Sequence, residues 1–386
     1  MPNKKVLVAI TARPSYSRIR SALEHLRADP QVDLQVLCSG SALLDRYGKV
    51  SSLIRADGFD VVEELYTFVE GDDLVNMALT AANTVSQTAA VLRRLQPDMV
   101  VTIADRYETL GTAVAAAYLN IPLIHIQGGE LTGNIDEKVR HAVTKLADLH
   151  LAATEGSARR LLRMGESPDA VTVTGCPSID IARESLAMDP AEVERAIVRT
   201  AAGHDRALGD DYIVVLTHPE TDVHEQSFEH MEMLLGIVER TGRQVIVFWP
   251  NVDAGSDGTS KAIRLFRESE RDGRFLFVKN LEGHLFLALL RGARCLIGNS
   301  SVGVRECAYI GVPVVNIGNR QQGRERAANV ADVPWDAQAI EQAVQAQIAH
   351  GHYQSSDLYG DGRAGARIAR RIADAAPGHV KRFHDG

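Results

Sequence analysis

Leu296 to Glu306 reads Leu-Ile-Gly-Asn-Ser-Ser-Val-Gly-Val-Arg-Glu, an apolar run that stops at a polar turn before a helical pattern resumes at Val304 and continues to Ile310. Such a turn leaves amide N–H groups without intrahelical partners and adds the positive end of a helix dipole, which together suit a phosphate. Gly298, Asn299, Ser300 and Ser301 make the turn, and its serines can act as N-caps or as phosphate ligands; residue type leaves both open. Arg13, Arg106, Arg305, Arg320 and His218 each fall in a loop or helix start beside the end of an apolar run. A planar guanidinium pairs bidentately with phosphate oxygens, so arginines gathered in this way point to a diphosphate. Taken singly, each arginine is better explained by solvent or a salt bridge.

The carboxylates form a second group. Asp105 directly follows the apolar run Met99 to Ile103, where a charge has no packing value; helix capping is the competing explanation. Glu137 stands with Asp136 near the start of the helical pattern Asp136 to Leu146, where acidic residues also compensate the dipole. Glu130 lies in Gly-Gly-Glu-Leu-Thr-Gly, a loop with flexible backbone in which a carboxylate binds substrate or caps the turn. His218, in Thr-His-Pro-Glu, is held extended by the following proline and can serve as acid, base or phosphate donor. His125, inside an apolar strand, reads as a core histidine, and His141 with Lys145 is spaced as one helix face. Ser300 lacks the Gly-x-Ser-x-Gly elbow of a serine hydrolase, no histidine pair has the His-x-x-x-His spacing of a metal site, and no Gly-x-Gly-x-x-Gly follows a first strand. Nothing here requires a metal or a cofactor.

The elements that must position these groups alternate along the chain. Val6 to Ile10, Val32 to Leu37, Met99 to Ile103, Pro122 to Ile126, Leu149 to Ala153 and Val171 to Thr174 read as strands, separated by helical stretches such as Val75 to Leu95. After Gly175-Cys176-Pro177 a second series begins, with strands at Tyr212 to Leu216, Gln244 to Phe248, Phe275 to Val278, Cys295 to Ile297 and Val314 to Ile317. Its helices include Glu225 to Arg240, His284 to Leu290 and Asp336 to Ile348, and Gly365 to Ala376 follows as a last one. This alternation predicts an α/β protein of two Rossmann-like domains, 1–175 and 176–364, with a central cleft, and a final helical segment 365–386. The chain's 386 residues exceed what one core usually serves, and 45% hydrophobic with 24% charged residues is the balance of a soluble globular protein. A net charge of −8 argues against a nucleic-acid or membrane surface. Cys38, Cys176, Cys295 and Cys307 make no Cys-x-x-Cys pair, and Val6 to Ile10 is too short for a signal-peptide core or a membrane span, so a cytoplasmic protein with reduced thiols is expected.

Over nearly its whole length the chain resembles the hydrolysing UDP-N-acetylglucosamine 2-epimerases of sialic acid and legionaminic acid biosynthesis. The motifs that carry the resemblance are Ala-Asp-Arg-Tyr-Glu-Thr from Ala104, Gly-Gly-Glu-Leu-Thr-Gly-Asn-Ile-Asp-Glu from Gly128, Arg140 to Lys145, Gly298 to Glu306, and Gly318 to Arg324. The resemblance implies a glycosyltransferase-B-like fold, the nucleotide held mainly by the second domain, and a last helix that crosses back to the first. It implies Asp105, Glu137 and His218 as the catalytic set, beside the candidate Glu130. Arg13, Ser17, Arg106, Ser300, Ser301 and Arg320 then contact substrate and diphosphate, Glu306 the ribose, and Phe286 the base. Departures from the family pattern are Thr11-Ala12-Arg13 where many relatives have Gly-Thr-Arg, Ala42 and Ile103 where they have histidine, Ala104 where they have glycine, and Gln127 where some have glutamate.

Elementary chemistry agrees with that family. The C2 proton of a 2-acetamido sugar has no adjacent carbonyl, so the diphosphate must begin to leave before the proton can; a site rich in phosphate-binding groups with few carboxylates fits this need. The expected reaction is elimination of UDP to a glycal, then addition of water with proton return to the opposite face of C2. Asp105 or Glu137 would move the protons while His218 and the arginines steady the diphosphate. The expected partner is a UDP-sugar or GDP-sugar, and a homodimer or homotetramer is the expected assembly. Rival readings are a non-hydrolysing 2-epimerase, a glycosyltransferase on the same plan, and a nucleotide-sugar sensor without turnover.

Overall fold

The computed structural model describes residues 3–45, 48–71, 73–132, 135–202, 207–220, 224–250, 255–269, 273–376 and 381–385. The chain divides into two compact units, one made of Met1–Glu130, Ile135–Asp180 and Gly360–Gly386, the other of Leu131–Asn134 and Ile181–Tyr359. The division therefore falls a few residues beyond the Gly175-Cys176-Pro177 break, and the final helix belongs to the first unit.

Seven parallel strands form the first sheet: β1 (Lys4–Ile10), β2 (Val32–Ser39), β3 (Val61–Leu65), β4 (Met99–Ile103), β5 (Leu123–Ile126), β6 (Leu149–Ala152) and β7 (Val171–Val173), in the order β3-β2-β1-β4-β5-β6-β7. Helices cover both faces, so the central strands are apolar on both sides and carry no alternation. Val6, Val8 and Ile10 pack against one layer of helices, while Leu7 and Ala9 pack against the other. The strand order reverses between β1 and β4, which opens a crevice at their carboxyl ends. Arg13 follows β1 and Asp105 follows β4.

The second sheet repeats the plan with β8 (Ala201–Ala202), β9 (Tyr212–Leu216), β10 (Gln244–Phe248), β11 (Phe275–Val278), β12 (Leu296–Gly298), β13 (Val314–Ile317) and β14 (Val330–Val333), in the order β14-β13-β12-β9-β10-β11-β8. Only β8, an edge strand against β11, runs antiparallel. Here the order reverses between β9 and β12, and these strands lead into His218 and Ser300. No helix among the described residues is long and apolar enough to cross a membrane.

The helix Ala364–Asp374 closes the first unit by lying on the helix Arg13–Ala28, with Ile368 and Ile372 fully buried. Its start is fixed by the Asp180 carboxylate, which accepts the amides of Ala364 at 2.9 Å and Gly365 at 2.7 Å, as a capping side chain does. Gly365 lets the two helices touch: a Cβ there would stand 2.5 Å from Ser21 Oγ and 2.7 Å from the Ser21 carbonyl carbon. Helix propensity favours alanine over glycine by about 1 kcal/mol, yet overpacking costs about 1–3 kcal/mol, so Gly365→Ala is expected to lower the urea midpoint. Ile368→Ala is expected to lower stability further, by about 2–5 kcal/mol, through the cavity it leaves.

Candidate active site

At the rim of the first sheet, two non-glycine residues adopt left-handed backbone: Ala104 (φ 63°) and Gln127 (φ 65°). They follow the paired residues Ile103 and Ile126 at the ends of β4 and β5, so the two turns stand side by side. Each conformation costs on the order of 1–3 kcal/mol and persists only where its surroundings impose it. His125 supplies part of that restraint, its Nε2 donating to the Ala104 carbonyl at 2.9 Å while the Thr144 hydroxyl meets its Nδ1 at 3.3 Å. A carbonyl can only accept, so Nε2 carries the proton and Nδ1 accepts from Thr144. Burial pushes the His125 pKa down to about 3, which leaves the ring neutral. Gln127 is held through its Nε2, which donates to Cys176 Sγ at 2.9 Å.

The turn at Ala104 delivers Asp105 to the rim. Capping does not account for Asp105, because the N-cap position of the next helix, Tyr107–Tyr118, is Arg106. Asp105 pairs instead with Arg140, and Arg140 Nη1 lies 3.3 Å from Glu130 Oε2. Arg140 rises from the helix Ile135–Leu146 and is 1% exposed, with Asp105 and Glu130 buried around it. Two carboxylates thus converge on one buried guanidinium, a matched arrangement whose partners lose several kcal/mol if one member is removed. Arg160 steadies the Glu130 loop by donating to the Gly129 carbonyl at 2.9 Å.

Glu137 stands in the first helical turn beside Asp136, half exposed, with its Oε1 3.9 Å from His141 Nε2; burial holds the His141 pKa below its ordinary value. The structure therefore joins Asp105 and Glu130 through Arg140, and Glu137 to His141. Arg13 opens the helix Arg13–Ala28, and Ser17 lies one turn further on the same helix. Arg106 lies against Glu108 at 3.1 and 3.3 Å and over the Tyr107 ring at 5.0 Å. Arg140 and His125 are the residues that sequence reasoning left without a role here. Val139, Arg140, Val143 and Thr144 form the buried face of their helix, so an arginine inside an apolar stripe was the available signal.

In the second unit, three strand-end loops are tied together by side chains. Gly298 (φ 146°) ends β12, and a Cβ there would stand 2.0 Å from the Leu216 carbonyl oxygen. The buried Asn299 amide then mimics a strand partner, accepting from His218 N at 2.7 Å and donating to His218 O at 2.8 Å. Its own carbonyl accepts from Gln321 Nε2 at 2.8 Å and from Arg320 Nη1 at 3.5 Å. Glu220 completes the knot, with Oε1 accepting the amides of Asn319 at 2.7 Å and Arg320 at 3.0 Å and Oε2 accepting from Trp335 Nε1 at 3.3 Å. His218, Ser300 and Arg320 are brought together in this way from β9, β12 and β13.

The single helical run read from Val304 to Ile310 is instead broken. Helices Ser301–Val304 and Glu306–Ile310 meet at Arg305, whose φ of −99° and ψ of −72° interrupt the ladder. Arg305 is buried at 1% exposure and braces the turn, its Nη2 donating to Ser301 Oγ at 2.7 Å with Glu306 3.8 Å from its Nε. With so short a helix the dipole contribution is slight, and anion recognition falls to the turn's amides and to nearby cations. Ser300 is the N-cap, accepting from Val302 N at 3.5 Å. Glu306 Oε2 is buried with no hydrogen-bond donor on it, leaving it able to accept from a hydroxyl. Phe286 meets Phe248 edge-on at 5.0 Å. Among the described residues no group of His, Cys, Asp or Glu has the arrangement of a metal site.

His125 has a measurable signature. Its folded pKa of about 3 lies below the ordinary 6.5, so the unfolded chain binds the extra proton and stability falls as pH drops through 6.5 toward 3, by about 1.4 kcal/mol per unit. His125→Gln, which retains a donor for Ala104, is expected to flatten that slope in unfolding free energy between pH 6 and about 4. Gly298→Ala is expected to lower the melting temperature, because its Cβ would stand against the Leu216 carbonyl, which is strand backbone.

Comparison with known proteins bears on the family and the fold. Residues 24–373 match the family model described as UDP-N-acetylglucosamine 2-epimerase. The chain is 30% identical to the UDP-N,N'-diacetylbacillosamine 2-epimerase (hydrolyzing) of Legionella pneumophila, covering 94% of each chain. It is also 30% identical to polysialic acid biosynthesis protein P7 of Escherichia coli, over 87% of this chain and 84% of that protein. In three dimensions it resembles the UDP-GlcNAc 2-epimerase from Neisseria meningitidis bound to UDP-GlcNAc, with a TM-score of 0.81 at 18% identity, covering 96% of this chain and all of that one. The two parallel-sheet α/β units are thus of the glycosyltransferase-B-like class, and the chain belongs to the UDP-N-acetylglucosamine 2-epimerase family.

Proposed function

We propose that this member of the family hydrolyses its substrate, converting UDP-N-acetylglucosamine, or an analogue substituted on the sugar, into UDP and the free 2-epimer. The observation that carries the reading is the pair of buried carboxylates, Asp105 and Glu130, drawn to Arg140 at the end of β4. A site for moving one proton between the two faces of C2 needs carboxylates whose positions do not drift, and a shared guanidinium provides that. The relatives at 30% identity described above, one of them a hydrolysing enzyme, support the same reading.

In the first step the C1–O bond to the diphosphate breaks with its electron pair leaving on UDP, while Asp105 takes the C2 proton and a C1–C2 double bond forms. In the second, Glu137 or Glu130 delivers a proton to C2 from the opposite face while water adds its oxygen at C1 and passes its own proton back to that carboxylate; Asp105 gives the proton it took to solvent. Overall one water is consumed and one UDP released. His218, Ser300, Ser301 and Arg320 bear the departing charge in this reading, while Arg305 holds the turn. Glu306 accepts from the ribose, and Phe286 lies by the base. Charge grows on the diphosphate as the bond breaks, so preorganised donors there act mainly on the transition state.

Incubation with UDP-N-acetylglucosamine, UDP-N,N'-diacetylbacillosamine and their GDP counterparts in heavy water tests the proposal. One of them is expected to yield stoichiometric nucleotide diphosphate and a free epimer with deuterium at C2. An epimer still joined to its nucleotide would mark the non-hydrolysing reaction, and UDP release only when an acceptor is present would mark a glycosyltransferase. Asp105→Asn is expected to lower UDP release by about 10²–10⁴-fold while the protein still binds UDP; undiminished release would remove Asp105 from the mechanism.

A further inference from the structure

Both supports of Asp105 stand on one helix. Arg140 meets its carboxylate, and Thr144, one turn on, holds His125 and through it the Ala104 carbonyl. The far end of that helix, Ile135–Leu146, is held by a segment beyond the residues that match the family model. Lys381 Nζ donates to the carbonyls of Thr144 at 2.9 Å and Ala147 at 2.7 Å, and also pairs with Glu166. An ammonium in that place adds a donor to carbonyls at the end of the helix, where the Thr144 carbonyl otherwise takes the Ala147 amide at 3.3 Å, and complements the negative end of the dipole.

Glu166 anchors the arrangement. It is 2% exposed and also takes Lys145 Nζ at 2.7 Å and His150 Nε2 at 2.8 Å. Burial would raise its pKa, but hydrogen bonds from His150, Lys145 and Lys381 bring it down to about 2. Phe383 and His384 fasten the other side. His384 N donates to the Gly165 carbonyl at 2.9 Å, and the Phe383 ring occupies the space a Gly165 side chain would need, with a hypothetical Cβ only 2.2 Å away. The Lys145 ammonium lies 5.3 Å from the centre of that ring, within cation–π range.

We propose that Lys381 to His384 form a strap that fixes the helix Ile135–Leu146 and thereby the position of Asp105, with Lys381 a positioning residue for proton transfer. Its kinetic consequence rests on the reaction assigned above; its mechanical consequence does not. Lys381 touches neither strand-end turn, so its loss displaces Asp105 without removing any substrate contact.

The test compares Lys381→Met, Lys381→Arg, and the double variant Lys381→Met/Glu166→Gln, in which no buried carboxylate is left short of a cation. In both Met variants amide hydrogen exchange is expected to quicken at Ala104 to Arg106 as well as at Thr144 to Ala147. With the sugar nucleotide that the wild type turns over, kcat is expected to fall about 10–100-fold while KM and UDP affinity hold, and Lys381→Arg is expected to restore most of the rate. Unchanged exchange at Ala104 to Arg106 in both Met variants overturns the strap whether or not the protein turns over. A wild-type protein that releases no nucleotide overturns the assigned reaction instead, and the exchange data still judge the strap.

Discussion

A guanidinium withdrawn from water must be matched by charge, and at Arg140 this requirement organises the first unit's rim. A cation that deep costs several kcal/mol unless carboxylates surround it, and Asp105 and Glu130 arrive from different strands to do so. The match in turn fixes what lies around it. Asp105 reaches its place only because Ala104 turns left-handed, Ala104 holds that turn with the help of His125, and His125 is oriented by Thr144 from Arg140's own helix. Neutral His125 is essential to this closed circuit, because Nδ1 must carry no proton if it is to accept from Thr144 while Nε2 donates to Ala104.

The second unit solves a related problem with side-chain-to-backbone hydrogen bonds. Three strand-end loops meet there, and loops alone are poor at holding position. Asn299 and Glu220 turn them into a fixed frame by using side-chain oxygen and nitrogen atoms where a strand would use backbone ones. Arg305 adds rigidity beneath Ser301, which explains why a cation of apparent use for phosphate is found almost wholly enclosed. Transition-state stabilisation by oriented donors depends on such prior fixation, since donors that must reorganise contribute less.

Much of the fold was legible in the sequence. β4, β9, β10, β11 and β13 coincide with the apolar runs read from it, because strands buried on both faces are nearly continuous in apolar residues. The strands that escaped notice, β3, β8 and β14, are edges: β3 carries Glu63 and Glu64, β14 is only partly buried, and β8 is two residues long. At the site, strand ends identified Asp105, His218 and the turn at Ser300 correctly as rim residues. What was not legible was partnership. Asn299 and His218 meet across 81 positions of sequence, and Arg140 joins carboxylates from two loops, so no local pattern records either contact. The continuous helix expected from Val304 to Ile310 is broken at Arg305, whose buried side chain turns back to brace Ser301, a contact that residue type does not announce.

Gln127 shows where this architecture retains latitude. The turn after β12 is closed to change, as Gly298 has no space for even a methyl group. Gln127 differs: its Nε2 is engaged by Cys176, while Oε1 is enclosed yet bonded to nothing among the described residues. Replacing that amide by the isosteric acid would alter the charge of the rim with almost no change of volume. For anyone reshaping the chemistry of this scaffold, it is the position at which electrostatics and packing come apart.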